Sequence, residues 1–294
     1  MNPKYPVYII SKGRWENGTT YKAFDKMKVP YRIVVERSQY KQYCNVIGKE
    51  KVLALPPSYL KNYNTFSVLG ENKGTGSGAA RNYVWDHSIK EGHPWHWLFD
   101  DNVSCFYRLN KNRRLPVSDG TIFRVMEIFC ERYENIAIAG PNYLSYAPDR
   151  EENLPPFILN WRIFSMLLIR NDIPYRWRGR YNEDADLSLR VLKDGWCTVQ
   201  FNAFLGDKAT TLTMKGGNTD GIYTGEDANL LKSQMLVDMH PDVTKVIFAY
   251  NRWHHKVDYT PFKKNKLIRK KGIEIPNRVN NYGMKLITLN DDNK

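Results

Sequence analysis

The feature that most restricts the fold is the alternation of short β-rich apolar runs with helical stretches through the first half of the chain. Residues 6–11 (PVYIIS), 31–36 (YRIVVE) and 51–55 (KVLAL) read as strands, and residues 19–28 read as a helix. Pro56-Pro57 stops the third strand, and residues 66–69 form a shorter apolar piece. The glycine cluster Gly74-Thr75-Gly76-Ser77-Gly78 then opens a helix over about residues 79–90, and residues 95–99 (WHWLF) make another strand. Strands joined through helices pair in parallel and are covered on both faces. The predicted class is α/β, with a mostly parallel, Rossmann-like sheet.

The second half is less regular. Residues 119–133 carry Ile122, Val125, Met126 and Phe129 on one helical face, and residues 136–139 make a short strand. Residues 158–169 suit a longer strand or hairpin. Residues 182–193 read as a helix whose first turn holds acids, which favours its N-terminal end, and Asp194-Gly195 closes it. Residues 199–204 read as the last strand, and residues 216–221 as a glycine-rich, mobile loop. There is no repeat and no linker. The expected organisation is a catalytic core over residues 1–205, then a C-terminal segment, 206–294, that completes the site and carries a basic tail.

Composition excludes several classes. The 42% hydrophobic and 26% charged content is that of a soluble domain, not a disordered chain. No apolar run approaches the roughly 20 residues of a membrane span, and no signal peptide is expected at the N-terminus. The four cysteines, Cys44, Cys105, Cys130 and Cys197, contain no Cys-x-x-Cys pair, so neither a cysteine zinc site nor a disulfide framework is expected. Charge is uneven: residues 240–294 hold 12 Lys+Arg and 5 Asp+Glu, and so +7 of the net +13. Lys263, Lys264, Lys266, Arg269, Lys270 and Lys271, interleaved with Phe262 and Leu267, suit a phosphate backbone.

Four constellations could carry chemistry. Asp100-Asp101-Asn102 follow an apolar strand, and open α/β sheets bind ligands at such tips. Two carboxylates and an amide there suit Mg2+ or Mn2+ holding a diphosphate, although Asp and Asn also make ordinary turns. Glu183 and Asp184 begin a helix behind Arg176-Trp177-Arg178-Gly179-Arg180; a carboxylate beside a hydroxyl is what a general base requires, and a capped helix start is the plainer reading. Gly74, Gly76 and Ala79 fit the dinucleotide pattern G-x-G-x-x-A, but leave the acid pairs unexplained. His254 and His255 could supply one imidazole to a metal, since neighbours on a strand point to opposite faces.

In this order the pieces resemble a GT-A-fold nucleotide-sugar glycosyltransferase. More narrowly, the chain is similar to the TET-associated glycosyltransferases of bacteriophages, which decorate hydroxymethylated cytosines in DNA. The resemblance rests on Ile9-Ile10-Ser11-Lys12-Gly13-Arg14, Ala79-Ala80-Arg81-Asn82, Phe99-Asp100-Asp101-Asn102, Asn182-Glu183-Asp184-Ala185-Asp186 and Arg252-Trp253-His254-His255-Lys256-Val257-Asp258-Tyr259. It implies that Ser11 and Arg14 lie near the nucleotide and that Arg81 approaches the diphosphate or sugar. Asp100 and its neighbours would form the D-x-D element, Glu183-Asp184 the acid pair facing the acceptor, and His254 or His255 the metal-side histidine. D-x-D ends here in Asn102, so Asp101 takes the metal, Asn102 binds it less tightly, or the metal is dispensable.

The expected activity is transfer of a sugar from a UDP-sugar to the hydroxyl of a modified cytosine, with Mn2+ or Mg2+, in the cytoplasm of an infected host. In an inverting reaction Asp184 would deprotonate the acceptor, with Glu183 as substitute; in a retaining one neither need be a base. Arg176, Arg178 and the six tail cations would contact DNA, with Trp177 either a stacking surface or core. A glycan or protein acceptor, an NAD-dependent oxidoreductase and a non-catalytic DNA-binding protein are the alternatives.

Overall fold

The computed structural model describes residues 1–66, 76–110, 113–147, 154–209, 216 and 228–274. The expected apolar piece at 67–69, Gly74-Thr75, most of the 216–221 loop and the chain beyond residue 274 lie outside the described residues. The elements are β1 (Val7–Ile10), α1 (Thr19–Met27), β2 (Arg32–Glu36), α2 (Tyr40–Ile47), β3 (Val52–Leu55), α3 (Pro57–Lys61), α4 (Gly78–Lys90) and β4 (Trp95–Asp100). They continue with β5 (Val103–Asn110), β6 (Arg113–Pro116), α5 (Thr121–Glu131), β7 (Ile136–Tyr143), β8 (Phe157–Leu159) and β9 (Met166–Arg170). The last are α6 (Glu183–Lys193), β10 (Cys197–Lys208), α7 (Ala228–Met239), β11 (Thr244–Ala249) and β12 (Arg252–Val257).

Ten strands form one sheet in the order β3-β2-β1-β4-β9-β7-β10-β5-β6, with β8 also beside β10. β3, β2, β1 and β4 pair in parallel, as do β7 and β10. β9 lies antiparallel between β4 and β7, while β5 and β8 run against β10 and β6 against β5. Seven of the ten strands therefore point the same way, and the C-terminal ends of β1, β2, β3, β4, β7 and β10 share one edge.

Both faces are covered because the strand sequences are apolar at consecutive positions. Trp97 and Phe99 point to the layer of α1 and α5, where Phe24, Phe106 and Phe123 pack, while Leu98 points to the layer of α4 and α6 with Trp85 and Trp177. Rings of Phe24 and Phe123 lie 5.0 and 5.5 Å from Phe99, which fixes the strand end that delivers Asp100. The glycine cluster is a packing device: Gly76 has φ +76°, and a Cβ on Gly78 would fall 1.8 Å from the Tyr63 hydroxyl.

Two stretches differ from expectation. Residues 158–169 form not one element but β8 and β9, which pair with different partners. Asn160 and Ser165, with φ of 59° and 58°, break the chain between them. Nor does the strand at 199–204 end the fold: it extends to Cys197–Lys208, across the boundary expected at residue 205, and a β11–β12 hairpin follows α7. The hairpin turns at Tyr250 and Asn251, both left-handed at φ 51° and 58°, as in a type I′ turn. All four cysteines are free, and no helix among the described residues is long and apolar enough to cross a membrane.

Candidate active site

A cleft of about 450 Å³ opens at the shared C-terminal edge of the sheet. Ile10, Glu36, Leu55, Asp100, Tyr143 and Lys208, the last residues of β1, β2, β3, β4, β7 and β10, all border it. A parallel α/β sheet binds its ligands at such an edge because loops of several strands converge there. Ser11, Arg14, Arg81, Asp100, Asp101, Asn102, Glu183, Asp184, His254 and His255 all line the cleft.

The first wall is built on the turn after β1. Gly13, at φ 67°, donates its N–H to Gln39 Oε1 at 2.8 Å and turns the chain back toward β4. Arg14 Nη1 then reaches Asp101 Oδ1 at 2.5 Å, and Ser11 Oγ donates to Asp101 Oδ2 at 2.5 Å. The Asp101 backbone carbonyl accepts the N–H groups of Thr19 and Thr20 at the start of α1, at 2.9 and 3.3 Å. Burial raises the Asp101 carboxyl above its ordinary range, against the pull of Arg14 and Ser11.

Arg81 joins the next two elements. It is 3% exposed and donates through Nη2 to Asp100 Oδ1 at 2.9 Å, while its Nε lies 3.5 Å from Glu183 Oε1. Ser77 Oγ accepts from Arg81 Nε at 3.2 Å and itself donates to Glu183. The guanidinium also sits 4.8 Å from the Trp177 ring centre. Its Nη1 is buried with no hydrogen-bond partner, so one donor of this cleft residue is left for a ligand.

The two acids at the start of α6 divide. Glu183 is held by Ser77 and Arg81. Among the described residues, the Asp184 carboxylate accepts the Ala185 N–H at 3.2 Å. Burial pushes Asp184 up to about 6, Glu183 and Asp100 adding to the shift and Arg81 and Lys232 opposing it. A carboxylate tuned toward neutrality is suited to taking a proton. Asn182, left-handed at φ 54°, turns the chain into the helix, and its side-chain amide donates to the Lys232 carbonyl at 2.7 Å, tying α6 to α7.

Besides Lys12 of the first motif, which pairs with Glu36 at 2.6 Å, three cleft cations were missed from the sequence: Arg162, Lys208 and Lys232. Lys208 Nζ is 4.0 Å from Asp100 Oδ2 and 5.7 Å from the Tyr143 ring centre. Arg162 lies over the Phe164 ring at 4.7 Å, with its Nε buried and without a partner. Burial lowers the Lys232 ammonium, which Asp184 and Glu183 partly offset. Only Lys208 had a legible signal, as the end of a strand directed at this edge. His254 and His255 both border the cleft, contrary to the expectation of one. Burial pushes His255 down to about 4, with Arg162, Lys232 and His254 adding, so it is neutral at pH 7. His254 Nε2 accepts from Arg252 Nε at 3.1 Å.

The expected metal ligands do not converge. Both Asp101 oxygens are taken by Arg14 and Ser11, and Asp100 is shared by Arg81 and Lys208. Asn102 Oδ1 is buried and unpartnered, but no three His, Cys, Asp or Glu side chains come together among the described residues. As arranged, this donor set does not fit a divalent ion, because side-chain cations already match its acids.

The residues expected on DNA do not border the cleft. Arg176 pairs with Asp86 at 3.2 Å and covers Trp85 at 4.9 Å, and Arg178 pairs at 3.0 Å with buried Asp186, which Arg190 and His240 also hold. Trp177 is core, 2% exposed, and offers no stacking surface. Lys263 and Lys264 lie in a short 3-10 helix. The chain onward is fastened to the residues before β7: Asn135 bonds Lys266 O and Ile268 N, Ile268 O accepts from Glu134 N, and Lys270 N donates to Arg132 O, each at 2.8 Å. Arg269 and Lys271 belong to the same run. That is the N-terminal edge of the sheet, opposite the cleft.

No curated relative matches the chain. The TET-Associated Glycosyltransferase family matches residues 5–217, well over half of it, and spans the cleft residues from Ser11 to Lys208. With the cleft and its acids already placed, that match settles the family: the chain is a TET-associated glycosyltransferase.

Proposed function

We propose that this enzyme moves a sugar from a UDP-sugar to the hydroxyl of a modified cytosine, 5-hydroxymethylcytosine or a relative, in phage DNA within the infected host. The observation that carries the reading is the pairing, in one cleft, of a raised carboxylate, Asp184, with the cations Arg162, Lys208 and Lys232. An inverting transfer of this kind uses both. A base takes the acceptor proton as the acceptor oxygen bonds the anomeric carbon. Positive charge receives the diphosphate as its bond to that carbon breaks.

In the inverting form, Asp184 takes the proton, and Glu183 stays bound to Ser77 and Arg81 as the group that holds Arg81 in place. The leaving diphosphate carries its charge toward Lys208, Lys232 and Arg162, and Arg81 Nη1 donates to the donor. Ile10, Val34, Leu55 and Leu60 supply an apolar strip at the other end of the cleft for the nucleoside. The net charge of +13 favours a polyanionic acceptor over a neutral glycan.

The test is mass spectrometry of nucleosides from hydroxymethylcytosine DNA incubated with a panel of UDP-sugars, with Mn2+ or with chelator. One sugar added to 5-hydroxymethylcytosine is expected from at least one donor. Donor turnover on a glycan or protein, with none on DNA, would overturn the acceptor.

A further inference from the structure

The β11–β12 hairpin is built unlike the rest of the surface. Its tip exposes three aromatic rings: Phe248 at 58%, Tyr250 at 93% and Trp253 at 41%. Residues 244–257 also contain Lys245, Arg252 and Lys256 and no acidic residue. Lys245 stands directly opposite Lys256 in the register, a like-charge pairing that costs stability unless an anion lies across it. Phe248 opposes Trp253 with ring centres 5.1 Å apart, and the next two residues of β12 are His254 and His255 of the cleft wall.

The base of the hairpin is fixed. Thr244 Oγ1 donates to the His240 carbonyl at 2.5 Å, the Asp258 N–H reaches Val243 O at 2.8 Å, and Leu236 and Val243 pack with Tyr259 and Phe262. A fixed stem therefore holds exposed rings and three cations at the rim of the cleft, with Asp258 beside Lys256 at its base the nearby acid.

We infer that this hairpin is the DNA-docking element, its rings stacking on unpaired bases beside the acceptor nucleotide and its cations meeting the flanking phosphates. The inference rests on the reading of DNA as acceptor. A base that enters a cleft must leave its stack, which frees its neighbours to stack on protein rings. An excess of cations over acids, Lys245, Arg252 and Lys256 against Asp258, selects a polyanion over a neutral sugar chain, which aromatic rings alone would not do.

The experiment measures fluorescence anisotropy of single-stranded and duplex hydroxymethylcytosine oligonucleotides, beside calorimetry of UDP and sedimentation of the protein alone. Trp253→Ala and Tyr250→Ala should each weaken single-strand binding about 5- to 150-fold, with UDP affinity unchanged. Lys245→Gln with Lys256→Gln should lower the salt slope by roughly 1.4, at about 0.7 per phosphate contact on a single strand. Parental DNA affinity and transfer in these variants, while the wild type still modifies DNA, would overturn the hairpin's role and leave the acceptor standing. Loss of self-association instead of DNA binding would assign the rings to a second copy and overturn it as well. A wild type that binds UDP but neither binds nor modifies DNA would overturn both.

Discussion

The two edges of the sheet hold positive charge in contrasting ways. At the N-terminal edge, six of ten consecutive residues, 262–271, are cationic, and backbone bonds string the later part of that run along residues 132–135. At the C-terminal edge, Arg162, Lys208 and Lys232 come from the β8–β9 connection, β10 and α7, yet they border one concavity with Asp184. A linear run spreads its field into solvent, whereas a cleft with low-dielectric walls focuses it. Local charge density in sequence is therefore a poor guide to where an anionic group is gripped.

The largest expected effect is at Asp184. Asp184→Asn should fold and lose transfer by about 10²–10⁴-fold. In the parent the rate should fall as pH drops through about 6, where this carboxylate takes up its proton. Its folded value lies above the unfolded value of about 3.9, so the ionised form costs stability above pH 6 and nothing once both states are protonated. The Asn variant should then melt higher than the parent at pH 8 and alike at pH 3. Retained activity, with the loss appearing in Glu183→Gln, would move the base to Glu183.

Next comes Lys208→Met, which should weaken UDP binding by about 10- to 100-fold, the cost of a contact to a charged group. Chelator should leave the parent's UDP affinity unchanged. A strict requirement for Mn2+ would break the comparison at its focused end, since Asp100 and Asp101 would then have to release Arg81 and Arg14. The smallest effect belongs to the dense run. Lys263→Gln, Lys264→Gln and Lys266→Gln together should alter neither UDP affinity nor the salt slope of DNA binding. A fall of roughly 3 in that slope would return the backbone contacts to the tail.

The sequence was most legible where one residue type carried one signal. Apolar runs marked β1 to β4, the acids in the first turn marked α6, and Trp97-Leu98-Phe99 led to the cleft through Asp100. It failed where non-glycine residues make the turns. Asn160 and Ser165 separate β8 from β9, and Tyr250 and Asn251 make a I′ turn without the glycine that usually announces one. The site was half legible for a related reason. Acids in pairs stand out, but Lys208, Lys232 and Arg162 are single cations among ordinary neighbours, and only the crossing of strands brings them together. Arg176 and Arg178 were read only as cations, because a free surface arginine and one paired with an aspartate look the same in sequence.

The position of β9 has a consequence for how the molecule comes into being. Met166 to Ile169 are fully buried, and the strand lies between β4 and β7, which do not pair with each other. Until residues 166–170 have been synthesised, β4 has an apolar, hydrogen-bond-hungry edge and the two sides of the sheet have no seam. The last bond of that seam, from Asp100 N–H to Ser165 O at 2.8 Å, lies at the cleft itself. A ribosome pausing before residue 166 would thus leave a sticky half-sheet, and the strand that joins its two sides also sets the Asp100 end of the cleft in register.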